Sequence, residues 1–353
     1  MTTPEPDPAA PDPAVPDPTE PDPAAFDTAS DTLQTVREID ALRRIFPRLP
    51  ASDAALVGPG DDAAVLSAPD GRYVVTTDLM VHGPDFRFAW SAPADLGWKA
   101  AASNLADVAA MGARPTALLV AIAAPRATPV AVLEGIADGL RQACAALAPG
   151  CGVVGGDLSA SDTFTIAVTA FGDLEGRPPV LRSGARIGDT VAVAGELGAA
   201  AAGLALLFRR ATDAEGTPDA QSAAGLRAEH RVVVEAQLRP RPPIRAGALA
   251  AQGGATAMLD LSDGLVLDAR RIAQASGVCI DLDRAALGAE PERSLAGGED
   301  HSLLACFPPE RPLAAGFRRI GRVVAGDGVL VDGEPYTGLG GWDPYAGWDG
   351  AHG

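Results

Sequence analysis

The stretch from Val57 to Leu66 reads VGPGDDAAVL: an apolar start, a Gly-Pro-Gly turn, two adjacent carboxylates and an apolar end. Glycines at 58 and 60 let the backbone turn sharply and approach a ligand closely, which would present Asp61 and Asp62 at the end of a strand. Neighbouring carboxylates repel each other, so water or a hard cation such as Mg²⁺ must offset their charge. Taken alone, such a stretch is most often a solvated turn, and the cation interpretation depends on further acids at other strand ends.

Further acids do occur where other strands are predicted to end. They are Asp78, the acids in the glycine-rich turns 155–157 and 297–300, Asp260 and Asp263, together with Asp107 on a predicted helix. In chains that alternate strands and helices, ligand sites usually lie where strands stop. So many acids in one cleft are unfavourable unless divalent cations lie among them. Such a cluster suits a nucleoside triphosphate, because the cations bridge its phosphate oxygens.

The helix that carries Asp107 is predicted from about Pro93 to Gly112, where glycine ends it. Leu105 and Val108 fall on its buried face. Asp107 falls on an adjoining stripe, so its side chain can point towards whatever the Gly-Asp-Asp turn faces.

Length and composition predict two domains and a tail. The chain has 353 residues, of which 47 % are hydrophobic, and this is more than one domain usually contains. Residues 1–32 repeat Pro-Asp-Pro units, and we expect a disordered tail because they cannot bury enough apolar surface. A turn-rich segment over 172–189 predicts the boundary between an N-terminal domain, 33–175, and a C-terminal α/β domain, 176–353.

The charge and the cysteines restrict the partners. A formal net charge of −18 argues against sequence-independent nucleic-acid binding, which needs clustered Lys and Arg. We expect no membrane partner, because no stretch is apolar for long enough to span a bilayer and the N-terminal segment lacks the pattern of a secretion signal. The four cysteines are scattered without a CxxC pair, which favours the reducing cytoplasm over a disulfide framework or a zinc site.

Cationic groups are scarce in the acidic motifs. Positive charge for a polyphosphate would come mainly from metal ions, with Arg182 of LRSGA as the best side-chain candidate. A glycine turn at 195–198 either offers backbone N–H groups to an anion or is a simple tight turn. The sequence contains no Walker A loop, HExxH zinc motif or GxSxG elbow. His301, beside Glu299 and Asp300, is expected to be a surface residue.

Seven motifs, spread from about residue 34 to the C-terminus, resemble the thiamine-monophosphate kinases. In order they are GDDAAVL, TTD, NLADVAAMG, GGD, RSGA, DLSDG and GGED. That family belongs to the superfamily of aminoimidazole ribonucleotide synthetase. The resemblance implies a two-domain α/β fold with mixed sheets, ATP and Mg²⁺ binding in the N-terminal domain, and a homodimer formed largely through the N-terminal sheets. The implied reaction transfers the γ-phosphoryl group of ATP to thiamine monophosphate and gives thiamine diphosphate.

The resemblance also implies a role for individual residues. The implied Mg²⁺ ligands are Asp62, Thr76, Thr77, Asp78, Asp107, Asp157, Asp260 and Asp263, of which Asp62, Asp157 and Asp263 are the expected catalytic residues. The implied ATP contacts are Gly156, Asp157, Arg182 and Ser262, and the implied substrate contacts are Asp85, Glu299 and Trp342. Asp85 stands where the family tends to have histidine, and Trp348 lies in a second GWD beside that of Trp342.

No activated nucleophile is evident, so we expect direct in-line transfer without a covalent enzyme intermediate. One alternative is another ATP-dependent synthetase of the same superfamily. The other is a non-catalytic acidic metal- or partner-binding protein in which the acids are solvated.

Overall fold

The structure is a computed structural model that describes residues 31–59, 63–338 and 340–342. The predicted tail, except for its last two residues, therefore lies outside the described residues, as do Asp61, Asp62 and Trp348. The helices are α1 (Glu38–Ile45), α2 (Pro93–Ala110), α3 (Val130–Leu147), α4 (Ala199–Arg210), α5 (Ala220–Glu229), α6 (Arg231–Leu238), α7 (Ile244–Gly253), α8 (Leu265–Ser276) and α9 (Pro291–Ala296). The strands are β1 (Ala55–Val57), β2 (Val65–Leu66), β3 (Val74–Val81), β4 (Arg114–Ala124), β5 (Gly152–Ala160), β6 (Thr165–Asp173), β7 (Thr190–Ala194), β8 (Ala257–Leu261), β9 (Cys279–Leu282), β10 (Ser302–Phe307), β11 (Phe317–Val324), β12 (Gly328–Val331) and β13 (Glu334–Pro335).

Two mixed sheets organise these elements. The first has four strands in the order β3-β6-β4-β5, and the second has seven in the order β13-β12-β9-β11-β7-β10-β8. Strands β4 and β5 pair in parallel, as do β12 and β9, while the other pairs are antiparallel. The predicted α/β class with mixed sheets is confirmed.

Helix α2 lies between the two sheets and belongs to the cores of both halves. Fifteen of its 18 residues are buried, and its apolar residues share one cluster with strands of the four-stranded sheet and with Ala192, Met258 and Leu303 of the seven-stranded sheet. A helix that is apolar on all faces must be covered on all faces. The sequence meets this condition with alanine and glycine, which allow neighbouring backbones to come close.

Glycines set the distance between α2 and its neighbouring helices. A Cβ atom on Gly97 of α2 would lie 2.0 Å from the carbonyl oxygen of Ile136 in α3, and one on Gly139 of α3 would lie 2.1 Å from that of Ala94. A Cβ atom on Gly247 of α7 would lie 2.1 Å from the carbonyl oxygen of Ala109. Both neighbours of α2 are therefore packed closer than any side chain at these positions permits.

The start of α2 is tied to the second half of the chain by a buried ion cluster. Asp95 is 1 % exposed and accepts hydrogen bonds from Arg227 at 2.7 and 3.0 Å and from Arg239 at 2.5 Å. Burial by itself would raise the pKa of Asp95, but the two arginines outweigh it and hold that pKa below its usual value. Trp98 adds a hydrogen bond from its indole N–H to the carbonyl oxygen of Pro240 at 2.7 Å. These contacts fix the relative position of the two halves.

The four-stranded sheet is covered by α2 on one face only. Along β3, Thr76 and Met80 face α2, whereas Val75 and Leu79 point to the other face and are 55 % and 52 % exposed. In the described part of the chain, no helix is long and apolar enough to span a bilayer.

Candidate active site

A cleft runs between α2, the end of β8 in the seven-stranded sheet and the loop that follows β3. A cavity of about 620 Å³ in this cleft is lined by nine of the predicted site residues: Thr77, Asp78, Asp85, Asp107, Asp260, Ser262, Asp263, Glu299 and Trp342. An adjoining cavity of about 560 Å³ shares Asp107 and contains Thr76 and Arg182. Acids from the first sheet, from α2 and from the second sheet therefore border one continuous cleft.

Asp107 is the acid that connects the two cavities. The hydroxyl of Thr76 donates to its Oδ2 at 3.0 Å. Burial, together with the charges of Asp260 and Asp78, raises the pKa of Asp107 to about 7. A carboxylate in this position has acidic neighbours and is short of cationic ones, which is the environment that a bound divalent cation would relieve.

The donor set fits a hard cation. Carboxylates and hydroxyls are oxygen ligands of the kind Mg²⁺ prefers. Among the described residues, however, no three His, Cys, Asp or Glu side chains lie close enough together to hold a metal ion as they stand. The acids border the cleft without converging on one point.

Asp157 and Gly156 do not lie in this cleft. Through the ladder, Leu79 pairs with Ala167, Ala167 with Ala121 and Ala121 with Asp157, which places Asp157 about 14 Å from β3 at 4.8 Å per strand. It lines a separate cavity of about 800 Å³ whose walls also include residues of α1 and α3. The single chain therefore does not bring Asp157 to Asp78 or Asp107, and Asp62 lies outside the described residues.

The prediction that Asp78 and Asp157 end their strands is wrong. Strand β3 continues to Val81 and β5 to Ala160, because β6 and β4 continue to pair with them. Gly156 is not a turn residue either. A Cβ atom there would lie 1.9 Å from the carbonyl oxygen of Val120, so glycine is needed for the close approach of β5 to β4.

Thr77, Asp263 and Asp85 are held by neighbours within the fold. The Thr77 hydroxyl donates to the carbonyl oxygen of Val168 at 3.0 Å. Asp263 pairs with Arg271 at 2.6 Å. Asp85 accepts a hydrogen bond from the backbone N–H of Val81 at 2.7 Å, and burial raises its pKa.

Glu299 is oriented by two side chains that sequence analysis missed. Lys99 of α2 donates to its Oε1 at 3.0 Å, and the Gln237 amide of α6 donates to its Oε2. Burial opposes ionisation of Glu299, but Lys99 and Gln237 outweigh that effect and lower its pKa. About a third of the Glu299 side chain, 34 %, remains accessible. The sequence signal was a lone lysine in an apolar helix, since lysine is rarely buried unless paired.

The loop that presents Glu299 has a constrained backbone. Glu299 and His301 have φ values of 67° and 51°, in the left-handed region that non-glycine residues seldom adopt. Backbone N–H groups of the same two residues donate to the carbonyl oxygens of Ser262 and Leu261 at 2.8 and 3.0 Å. The loop is thereby fixed against the end of β8.

The prediction of a surface position for His301 is wrong. It is 7 % exposed and its Nδ1 lies 3.4 Å from Oδ2 of Asp260. The hydrogen bond to that acid and the charges around it outweigh burial and raise the pKa of His301. His301 also lines the 620 Å³ cavity, which a local sequence pattern could not indicate.

The chain's own Asp300 occupies the glycine turn before α4. Its carboxylate accepts hydrogen bonds from the backbone N–H groups of Gly198 at 2.5 Å and Ala200 at 2.8 Å. Gly198 has φ of 75°. Of the two interpretations of this turn, anion binding therefore applies, and the anion is the carboxylate of Asp300. The turn thereby holds the Glu299 loop in place.

Comparison with known proteins identifies the family. Residues 60–174 match AIR synthase related protein, N-terminal domain, and residues 186–332 match AIR synthase related protein, C-terminal domain. Thiamine-monophosphate kinase of Mycobacterium tuberculosis is 46 % identical over 90 % of this chain and 94 % of its own length.

Solved structures support the same family assignment. Thiamine-monophosphate kinase from Stenotrophomonas maltophilia K279a has a TM-score of 0.70 at 31 % identity, covering 85 % of this chain and 98 % of its own. AaThiL, complexed with AMPPCP and TMP, has a TM-score of 0.67 at 32 % identity, covering 87 % and 96 %. The predicted two-domain fold and the predicted enzyme class, a kinase, are confirmed. The chain belongs to the thiamine-monophosphate kinase family of the AIR synthase related proteins.

Proposed function

We propose that this chain transfers the γ-phosphoryl group of ATP directly to the phosphate of thiamine monophosphate, giving thiamine diphosphate. The observation that carries the proposal is the cleft whose 620 Å³ cavity is lined by Asp78, Asp107 and Asp260, from two sheets and the helix between them. A relative with 32 % identity binds an ATP analogue and TMP together.

The acids of the cleft are the proposed Mg²⁺ ligands. Asp78, Asp107 and Asp260 are the best supported, since they border one cavity and the charges of Asp78 and Asp260 contribute to the raised pKa of Asp107. Asp62, Thr76, Thr77, Asp157 and Asp263 complete the proposed set. When bound, Mg²⁺ would neutralise phosphate oxygens and so reduce the repulsion between donor and acceptor. Ser262, Arg182 and Gly156 are the proposed ATP contacts.

The acceptor is proposed to lie against Glu299. Thiamine monophosphate carries a cationic thiazolium ring, and Glu299 offers a carboxylate that Lys99 and Gln237 keep ionised and oriented. Trp342, whose side chain is 44 % exposed and lines the same cavity, and Asp85 are the other proposed contacts. The protein's part in the step is to bind and align the two phosphates, without a covalent intermediate.

We also propose a homodimer formed through the uncovered face of the four-stranded sheet. Val75 and Leu79 expose more than half of their surface there, and an apolar sheet face of this kind is usually covered in the assembled protein. Asp157 lies on the same face, so the assembly decides what it meets.

The purified full chain should form thiamine diphosphate and ADP in equal amounts from thiamine monophosphate, ATP and Mg²⁺. Aminoimidazole precursors and selenide serve as competing acceptors in the same assay, since related synthetases are the main alternative. Turnover of either of them in place of thiamine monophosphate, or isolation of a phosphorylated side chain during turnover, would contradict the proposal.

A further inference from the structure

Arg87 lies in the loop between β3 and α2 and lines the 620 Å³ cavity. Its guanidinium carbon is 4.6 Å from the ring centroid of Trp90 and 4.6 Å from that of Phe208 in α4. The two rings meet edge to face, with centroids 4.9 Å apart. Residues from both halves of the chain therefore hold the guanidinium in place by cation–π contact.

No described carboxylate forms an ion pair with Arg87. Within the described ranges, no carboxylate, carbonyl or hydroxyl oxygen accepts a hydrogen bond from its side chain. The other Lys or Arg side chain that lines the 620 Å³ cavity, Lys99, is paired with Glu299, whereas Arg182 lies in the adjoining cavity. Desolvation lowers the pKa of Arg87, which is the effect expected of a partly buried cation without a counter-ion. A fixed guanidinium with free N–H donors at a cavity wall is suited to an anion.

The ligand chemistry that fits is a phosphate. A guanidinium presents its donors in a planar fork that matches two phosphate oxygens. Under the proposed function two phosphates enter this cleft. Those of ATP would arrive with divalent cations at the acids, whereas the monoester of thiamine monophosphate brings no metal ion, and its thiazolium ring is the group proposed to lie against Glu299.

We propose that Arg87 binds the phosphate of the acceptor and thereby selects phosphorylated thiamine over thiamine itself. This inference rests on the proposed function. It assigns the acceptor's phosphate to a protein cation and leaves the phosphates of ATP to the metal ions that the acids of the cleft would hold.

The test compares Arg87→Gln, Arg87→Lys and the control Arg241→Gln by calorimetric binding to the full-length protein. Arg241 is a matched control because it also stacks on a tryptophan, 4.9 Å from the Trp98 centroid, but is exposed and does not line the cavity. The two ligands are thiamine monophosphate and thiamine, which differ only in the phosphate. KM for ATP is measured on the same proteins.

Arg87→Gln should weaken the binding of thiamine monophosphate about 10- to 100-fold, which is the effect of losing a charge-assisted hydrogen bond. Thiamine should bind within about twofold of wild type, so the preference for the phosphorylated ligand collapses. Arg87→Lys should retain part of that preference, and KM for ATP should not change. Arg241→Gln should behave as wild type.

Equal weakening of both ligands would overturn the proposal, because it would mean that Arg87 only packs the cavity wall. A raised KM for ATP with unchanged binding of thiamine monophosphate would overturn it in favour of the donor phosphate. A failure of the proposed function looks different, since wild-type protein would then form no ADP in response to thiamine monophosphate. Thermal melts of each variant exclude misfolding, and Arg87→Lys tests the assignment if Arg87→Gln does not fold.

Discussion

Replacing Asp107 by asparagine should make the ligand-free protein more stable and at the same time lower kcat about 100-fold. We expect activity to fall because Asp107 is a proposed Mg²⁺ ligand, and a bound metal ion supplies several kcal/mol of transition-state stabilisation. Stability rises because asparagine removes a carboxylate whose ionisation the fold opposes. We expect Tm at pH 8 to increase by about 2 °C or more, as measured by calorimetry without metal or nucleotide.

The sign of this change in stability follows from the raised pKa of Asp107. The pKa of Asp107 is about 7 in the folded protein against a usual 3.8, so between these values the folded state keeps a proton that the unfolded state has released. Stability therefore falls as pH rises through this window, and the penalty is complete above pH 7. The gain of Asp107→Asn should be largest above pH 7 and vanish near pH 4.

Added Mg²⁺ and AMPPCP should reverse the order, because a ligand that binds only the folded state raises its stability. Wild type should then melt above Asp107→Asn. A variant that is less stable than wild type under all conditions would mean that Asp107 is a structural residue, and full activity in the variant would remove it from the site.

Gly139→Ala should destabilise the protein by about 3 kcal/mol, at the upper end of the usual cost of overpacking. The new methyl group would lie 2.1 Å from the carbonyl oxygen of Ala94 and 2.9 Å from the amide nitrogen of Trp98. Both atoms belong to the backbone of α2, which cannot rotate away as a side chain could. Because α2 also carries Lys99 and Asp107, the shift should reach the cleft. Urea unfolding gives the free energy, and kcat gives the effect on the site.

Gly225→Ala is the matched control. Gly225 is also inside a helix, α5, but a Cβ atom there would meet nothing within 4 Å. Alanine should stabilise that position by about 0.5–1 kcal/mol, through the conformational entropy that glycine loses on folding. If Gly139→Ala and Gly225→Ala have the same effect, the close contact of α2 with α3 does not limit stability.

Local sequence patterns predicted the central helix well. Predicted from about Pro93 to Gly112, α2 runs from Pro93 to Ala110, and Gly112 follows with φ of 75°. Proline at the start and glycine after the end are signals carried by adjacent residues. The 3.6-residue period of the same helix predicted that Asp107 lies on a stripe beside the buried face, and in the structure Asp107 lines the cleft.

What local patterns could not predict depends on contacts between distant residues. Asp157 was expected at a strand end, but β5 continues because β4 pairs with it. His301 was expected at the surface, but the fold places Asp260 beside it. Arg87 belongs to none of the motifs identified in the sequence, and only the packing of α4 against its loop brings it into contact with Phe208. Register and tertiary packing decide all three.

The site acids include residues whose position the sequence predicted and one whose position it did not. Asp78, Asp107 and Asp260 are far apart in sequence, and repetition of acids at elements of an α/β chain was enough to predict that they share a cleft. Asp157 was indistinguishable from them by that criterion. Its distance from the cleft follows from the strand order β3-β6-β4-β5, in which it lies on the far edge strand from Asp78.

The proposed function requires that the cleft acids hold the divalent cations that serve phosphoryl transfer. The most direct measurement is the anomalous difference density of Mn²⁺ in crystals of the full chain grown with AMPPCP. We expect at least one Mn²⁺ within coordination distance of Asp107 together with Asp78 or Asp260, in contact with the nucleotide phosphates. Nucleotide bound elsewhere, with no Mn²⁺ on these three carboxylates, would contradict it.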